Sequence, residues 1–316
     1  MNKEYFKFGK TLFIIVAIFV VVDILIGYTG DWLRNDLPAT ISQIGKASAS
    51  ETKIKADIII IGSSRAAHHY NSEIIQKELG MSVYNAGSDG MGLMYGSCIL
   101  NSTLRRCRPK IVILELSDAI LEGDYKISDP LKMYYYDDEY IKNTLNAVSG
   151  KTMTFKMRVN TYRFNKLLAQ FGVAFLSPLD DKSGFEPLSP NNNILIPEVK
   201  PHSVSLSDVD TLVLSRLYDV IKWSRDYGFR LIIVDSPTLL INHDNYSFIK
   251  GLCRKEQIAC FDNSNIDYFL KNTRYFRDPT HLNSIGADEY TRFFLKQLRT
   301  VMNGLGPNST LPDIKQ

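Results

Sequence analysis

Ile58, Ile59, Ile60 and Ile61 form one unbroken run. All are β-branched and no polar residue alternates with them, so the run predicts a strand buried on both faces. Such a strand belongs inside a parallel sheet covered by helices. Gly62 ends the run, and Ser63 and Ser64 follow. The segment from about Ala66 to Leu79 reads as a helix. A side chain at this kind of turn lies at the carboxyl end of the sheet, where open α/β folds place their sites. It also lies beside the free N–H groups of a helix start, which stabilise developing negative charge.

The alternation continues along the chain. Asp57–Ile61 is the first expected strand, and the helix after it ends at Gly80. Ser82–Tyr84 reads as a short second strand, running into the glycine-dense loop Asn85–Gly92. A helix from about Leu93 to Cys107 is stopped by Pro109, and Ile111–Leu116 is a third strand. Later come a helix at Val209–Tyr227, a strand at Arg230–Val234, a helix near Tyr246–Lys255, a strand at Ile258–Phe261 and a last helix at Ser284–Met302. Strands alternating with helices imply a parallel sheet with helices on both faces.

Between about 119 and 207 the pattern breaks, for far longer than an ordinary α/β connection. This stretch reads as an insertion that covers or borders a site, the alternative being a packing subdomain that touches no substrate. It holds Tyr134-Tyr135-Tyr136, the acidic run Asp137-Asp138-Glu139, a basic helical piece around Lys156–Leu168 and a loop through Pro187–Asn193. The acidic run is expected to be a solvated face. The tyrosines have the chemistry to stack on sugar rings, though such a cluster is more often core or interface.

Lys3, Lys7 and Lys10 precede an apolar run from Thr11 to about Tyr28. Roughly eighteen helical residues rise about 27 Å, close to the hydrocarbon thickness of a bilayer. Asp23 interrupts the run near its far end, where it would reach the interface. The lysines before the run and Asp31 and Asp36 after it place the N-terminus in the cytoplasm and the rest outside. A cleaved signal peptide is the competing reading. The nearest small-residue stretch, Ala47-Ser48-Ala49, lies far beyond the run and favours an uncleaved anchor. The expected organisation is a stub and anchor over 1–30, a stalk over 31–55, a globular domain over 56–302 and a flexible tail over 303–316.

The 316 residues carry a net charge of +3, which makes no case for a nucleic-acid partner. Cys98, Cys107, Cys253 and Cys260 lack metal-ligand spacing and read as small buried hydrophobes. Cys253 and Cys260 could pair only if the chain turned back between them. His68 and His69 lie within a turn or so of Ser64, with at least one expected to pack or face solvent; His202 and His243 fall in loops. No histidine set has metal spacing, so no metal is expected. Gly87-x-x-Gly90-x-Gly92 lacks the spacing and lysine of a phosphate loop.

A serine hydroxyl needs a base within hydrogen-bond reach to act as a nucleophile at neutral pH. Asp278-Pro279-Thr280-His281 offers one. His281 can take the Ser64 proton and return it to a leaving group, while Asp278 orients the ring and stabilises its cation. Each motif alone is weak. Asp278 can equally be a loop acceptor and His281 a packing residue beside the last helix. Their order on one parallel α/β pattern is what joins them.

Together Ser64, Gly87, Asp278 and His281 make the region from Asp57 to Leu298 resemble the SGNH (GDSL-type) hydrolase and acyltransferase superfamily. The Gly62-Ser63-Ser64 turn is similar to the variant found in membrane-anchored envelope O-acyltransferases, with Ser63 where the family carries aspartate. The resemblance implies a three-layer α/β/α, flavodoxin-like parallel sheet, with the stretch at 119–207 unmatched. It implies Ser64 as nucleophile, His281 as base, Asp278 as orienting acid and Gly87 as a backbone oxyanion donor, with no cofactor. The family's asparagine after the third strand is absent; the segment reads Glu115-Leu116-Ser117-Asp118. Ser117 or Asn85 would have to supply the second donor. The implied substrate is an O-acylated, typically O-acetylated, cell-envelope glycan or another ester, with an envelope-biosynthesis protein as a further partner. The alternative is a catalytically impaired chain of this fold that assists envelope assembly or binds glycan.

Overall fold

In the computed structural model, residues 2–35, 37, 43–117, 129–165, 167, 170, 182–191, 193–195, 209–240 and 246–304 are described. Asp36, Asp118, His202, His243 and the tail beyond Gly304 lie outside the described residues.

The chain is α/β. Helix α1 (Asn2–Leu33) and α2 (Gln43–Thr52) precede β1 (Ile58–Ile61), α3 (Ser64–His69), α4 (Ser72–Leu79), β2 (Val83–Asn85), α5 (Leu93–Leu104) and β3 (Ile111–Glu115). Three short helices follow, α6 (Glu139–Ser149), α7 (Lys151–Lys156) and α8 (Asn160–Phe164). The sheet resumes through α9 (Thr211–Tyr227), β4 (Arg230–Asp235), α10 (Ser247–Glu256), β5 (Ala259–Asp262), α11 (Asp267–Leu270) and α12 (Ser284–Met302).

The sheet has five strands in the order β2-β1-β3-β4-β5, every pair parallel. Ile58 of β1 is opposite Val83 of β2 and Ile111 of β3. Successive β1 side chains enter different cores, because strand residues alternate faces. Ile59 and Ile61 pack with Val112, Leu114 and the α5 and α9 faces. Ile58 and Ile60 pack with Ile113, Val234, Tyr70 and Phe294. All four isoleucines are 0% exposed, which accounts for the missing polar alternation. Strand order reverses between β1 and β3, so the crevice beyond their carboxyl ends is the topological place for a site.

The helix expected over 66–79 is two helices. Asn71 is extended and its side chain accepts from the N–H groups of Glu73 and Ile74, capping α4 as a fresh start. The described residues of 31–55, expected as a stalk, are not free of the domain. Helix α1 continues to Leu33, and α2 buries Ile44, Lys46, Ala47 and Ala49. Its small residues allow close approach where a larger apolar stripe would be conspicuous in the sequence.

Helix α1 is long and apolar enough to cross a membrane, with mean hydropathy 2.7 over its most apolar stretch. Its distal part is joined to the domain. Asp23 accepts from the Asn160 and Thr161 backbone N–H groups at 3.0 and 2.7 Å, capping α8. Beyond it, Gly30 lies against the Phe164 ring, and Asp31 pairs with Arg163 at 2.8 Å.

Two expectations for the insertion change. Tyr134 and Tyr135 are buried and Tyr136 is exposed, so the first two belong to the core. Asp138 is buried rather than solvated, because it caps α6 through the N–H groups of Tyr140 and Ile141. All four cysteines are free, and Cys260 alone is only partly buried. The chain does turn back between Cys253 and Cys260, since α10 ends at Glu256 and β5 opens at Ala259.

Candidate functional site

Gly62 turns the chain out of β1 with φ +149, a conformation that favours glycine, and a Cβ there would come within 2.7 Å of the Glu115 carbonyl oxygen. Ser63 is extended, and its side chain makes no capping bond. Ser64 therefore opens α3 with its N–H in the first turn, where no intrahelical acceptor exists.

The Ser64 hydroxyl lies 2.7 Å from His281 Nε2. On the other side of the ring, His281 Nδ1 is 2.9 Å from both Asp278 carboxylate oxygens. This pairing puts the ring proton on Nδ1 and leaves Nε2 to accept from Ser64. Asp278 also accepts from the Thr280 and His281 N–H groups at 2.8 and 3.0 Å, closing a tight turn after Pro279. Burial works against the Asp278 charge, but the His281 ring and these backbone donors outweigh it and hold its carboxyl below the usual value.

Gly87 lies directly on α3, where a Cβ would come within 2.5 Å of the Ala66 side chain and the Ala67 nitrogen. Its N–H donates to Asn85 Oδ1 at 3.0 Å. Asn85 is not placed as the sequence suggested. Its side chain is fully buried, and Nδ2 donates to the Ala66 and Tyr70 carbonyls at 2.7 and 3.2 Å. Both amide hydrogens are therefore committed beneath the turn. Ser117 is half-buried, two residues beyond β3.

Beside His281 stands a cluster that sequence spacing did not reveal. His68 Nδ1 is 2.6 Å from the Glu186 carbonyl oxygen, and Nε2 is 2.7 Å from Asp89 Oδ1. Both nitrogens face acceptors, an arrangement that favours the imidazolium. Burial opposes that charge, yet Asp89 and the Glu186 carbonyl raise the pKa above the ordinary histidine value. Its ring centroid is 5.6 Å from that of His281. Fully buried Lys46 reaches Glu186 Oε1 at 2.5 Å and donates to the Gly87 carbonyl. His68, Asp89 and Glu186 bring ligand atoms within 4.8 Å of one another. Their charges are already balanced by Lys46 and the His68 proton, so a metal cation would have to displace both.

Below the turn, Arg65 is buried with Nη2 2.6 Å from Asp235 and Nε 3.4 Å from Glu115. Glu115 also accepts from the Tyr70 hydroxyl, the Ser236 N–H and the Ser236 hydroxyl. The available sequence signal was an acid closing each of two apolar strands, Glu115 on β3 and Asp235 on β4. Of the insertion, the 182–191 piece borders the site: the Glu186 N–H donates to Ala67, and Leu188 accepts from Ser284. In comparisons with known proteins, no family model and no curated protein matches the chain.

Proposed function

We propose that this chain is a serine-dependent esterase or O-acyltransferase of the SGNH (GDSL-type) kind, acting on acylated cell-envelope carbohydrate. The observation that carries the reading is the 2.7 Å contact from Ser64 to a histidine whose far nitrogen faces Asp278. The parallel strand order, with Ser64 beyond β1 and helices against both faces, suits the three-layer fold of that superfamily.

The chemistry follows from the arrangement. The Ser64 oxygen attacks an ester carbonyl while His281 takes its proton. Asp278 keeps the proton on Nδ1 and stabilises the imidazolium. The Ser64 N–H would meet the developing oxyanion with Ser117 as a neighbouring donor, and the Gly87 N–H would join them only by leaving Asn85 Oδ1. Collapse releases the alcohol, which takes the proton from His281. Water or a sugar hydroxyl, deprotonated by the same ring, then removes the acyl group from Ser64. Exclusion of water from the site decides between hydrolysis and transfer.

The anchor reading draws support from packing. Asp23, Gly30 and Asp31 of α1 are engaged by α8, as an uncleaved helix requires. In this reading the enzyme is single-pass, with its site on the periplasmic or extracellular side.

A second reading is a non-catalytic member that assists envelope assembly or binds glycan. Its support is the Gly87 N–H, already bonded to Asn85, together with the lack of an asparagine after β3. A fluorophosphonate probe separates the two. The enzyme reading expects labelling of the wild type and none of Ser64→Ala. A wild type that stays unlabelled favours the second reading, and equal labelling of both removes Ser64 as nucleophile.

A further inference from the structure

Exposed apolar side chains run along α1 from Tyr5 to Trp32, with Ile24, Leu25, Tyr28 and Trp32 still exposed beyond the point where the domain begins to cover one face of the helix. Side chains such as Tyr5, Phe13, Phe19 and Val22 are exposed, whereas Asp23 is the first residue bonded to the domain by its side chain. From Tyr5 to Asp23 a helix rises about 27 Å, close to the hydrocarbon thickness of a bilayer. As a charged side chain held by the domain, Asp23 fits the outer interface of the span and not its interior.

Helix α8 starts at Asp23. Asn160 and Thr161 donate to Asp23, Phe164 reaches Gly30, and Arg163 pairs with Asp31. The helix thus climbs α1 away from the bilayer. The residues before it, Phe155 to Val159, lead into α8 at the end that meets Asp23.

Their chemistry fits the interface. Phe155 is 71% exposed and Val159 44%, while Met153 just before them and Met157 between them are buried and fix the turn to the domain. Lys156 and Arg158 are exposed on the same short turn. Apolar side chains flanked by cations match the headgroup–acyl boundary of a bilayer, where the apolar groups insert and the cations meet phosphates.

We propose that the Phe155–Val159 turn is a second membrane contact, seated in the outer leaflet and selective for anionic lipid. It rests on the reading of α1 as a membrane-spanning anchor. Two points of attachment hold the domain in one orientation, where α1 alone would let it swing.

The test uses the full chain in vesicles of phosphatidylcholine and phosphatidylglycerol, with Cys260→Ser as background. Nitroxides are attached at Phe155→Cys and Val159→Cys. The reference labels are Lys222→Cys, on the exposed side of α9, and Ile15→Cys, within α1. At 155 and 159 the expected result is several-fold lower accessibility to a water-soluble nickel chelate than at 222, with oxygen accessibility kept. Replacing phosphatidylglycerol with phosphatidylcholine should raise nickel accessibility at both positions. Labels at 155 and 159 as open to nickel as 222, with 15 in lipid, overturn this inference alone. Labels shielded from nickel and oxygen alike point to a protein partner and also overturn it. A label at 15 that is itself open to nickel overturns the anchor reading, and this inference with it.

Discussion

The Leu282 backbone N–H donates to Nε2 of His69 at 2.9 Å. Leu282 follows His281, so this bond ties the loop of the base to α3, the helix that Ser64 opens. His69 Nδ1 faces the Ser236 hydroxyl at 2.7 Å, and that hydroxyl donates to Glu115 at 2.8 Å. The His69 proton therefore sits on Nδ1 and the ring is neutral. Burial, with the nearby Arg65 charge second, holds its pKa well below the ordinary histidine value.

A stability slope follows from that neutrality. As pH falls through about 6.5, histidine in the unfolded chain gains a proton that folded His69 refuses. The unfolded state then binds more protons, and stability falls. His69→Gln removes this contribution. Its melting temperature should change less than that of the wild type between about pH 7.5 and about pH 5.5. Parallel curves for the two proteins would refute a neutral His69.

Asp278→Asn should leave the fold intact and cut the rate by about 10⁴-fold, because an amide cannot hold the ring proton on Nδ1. The lowered pKa of Asp278 gives the pH dependence. Its pairing with His281 is fully present above the ordinary carboxylate value of about 3.9 and is lost as pH falls through the lowered value. The deficit of the variant should thus be constant with pH above about 5. Fluorophosphonate labelling rates measure it without knowledge of the substrate.

Lys46 is a buried cation whose loss would strand two acceptors, the Glu186 carboxylate and the Gly87 carbonyl. Breaking a buried pair from one side costs about 3–5 kcal/mol. Lys46→Met should fall in that range by urea unfolding, and Lys46→Met with Glu186→Gln should recover part of the loss. A double variant no more stable than the single one would mean that Glu186 is not the stranded group.

The residues legible in the sequence were those whose role is written locally. Four isoleucines, a glycine and a serine specify a buried strand and its turn. Asp278 and His281 are three positions apart, and one turn of loop closes their hydrogen bonds. Lys46 and Glu186 are 140 positions apart, and nothing in either neighbourhood announces the other. Helix α2 was hidden because Gly45, Ala47 and Ala49 bury little apolar area each, though they permit close packing. Asn85 stood beside Gly87 in the chain, but the local backbone directs its amide inward to Ala66 and Tyr70.

Arg65 supports the turn from below, and its two carboxylates do not share it equally. Glu115 accepts from Tyr70 and twice from Ser236 in addition to facing Arg65. Asp235 leans on Arg65 Nη2 at 2.6 Å. Burial, with the Glu115 charge adding to it, outweighs that contact and pushes the Asp235 carboxyl up to about 7. The folded chain then holds a proton that the unfolded chain releases near pH 4, so stability declines as pH rises across the window from about 4 to about 7. This slope is opposite to that of His69 over their shared range. Asp235→Asn, which stays neutral at every pH, should remove the decline and leave the acid loss from His69 more visible in thermal melts. If melting temperatures of Asp235→Asn and wild type run parallel from about pH 4 to about pH 7, Asp235 is ionised throughout and Arg65 carries both charges.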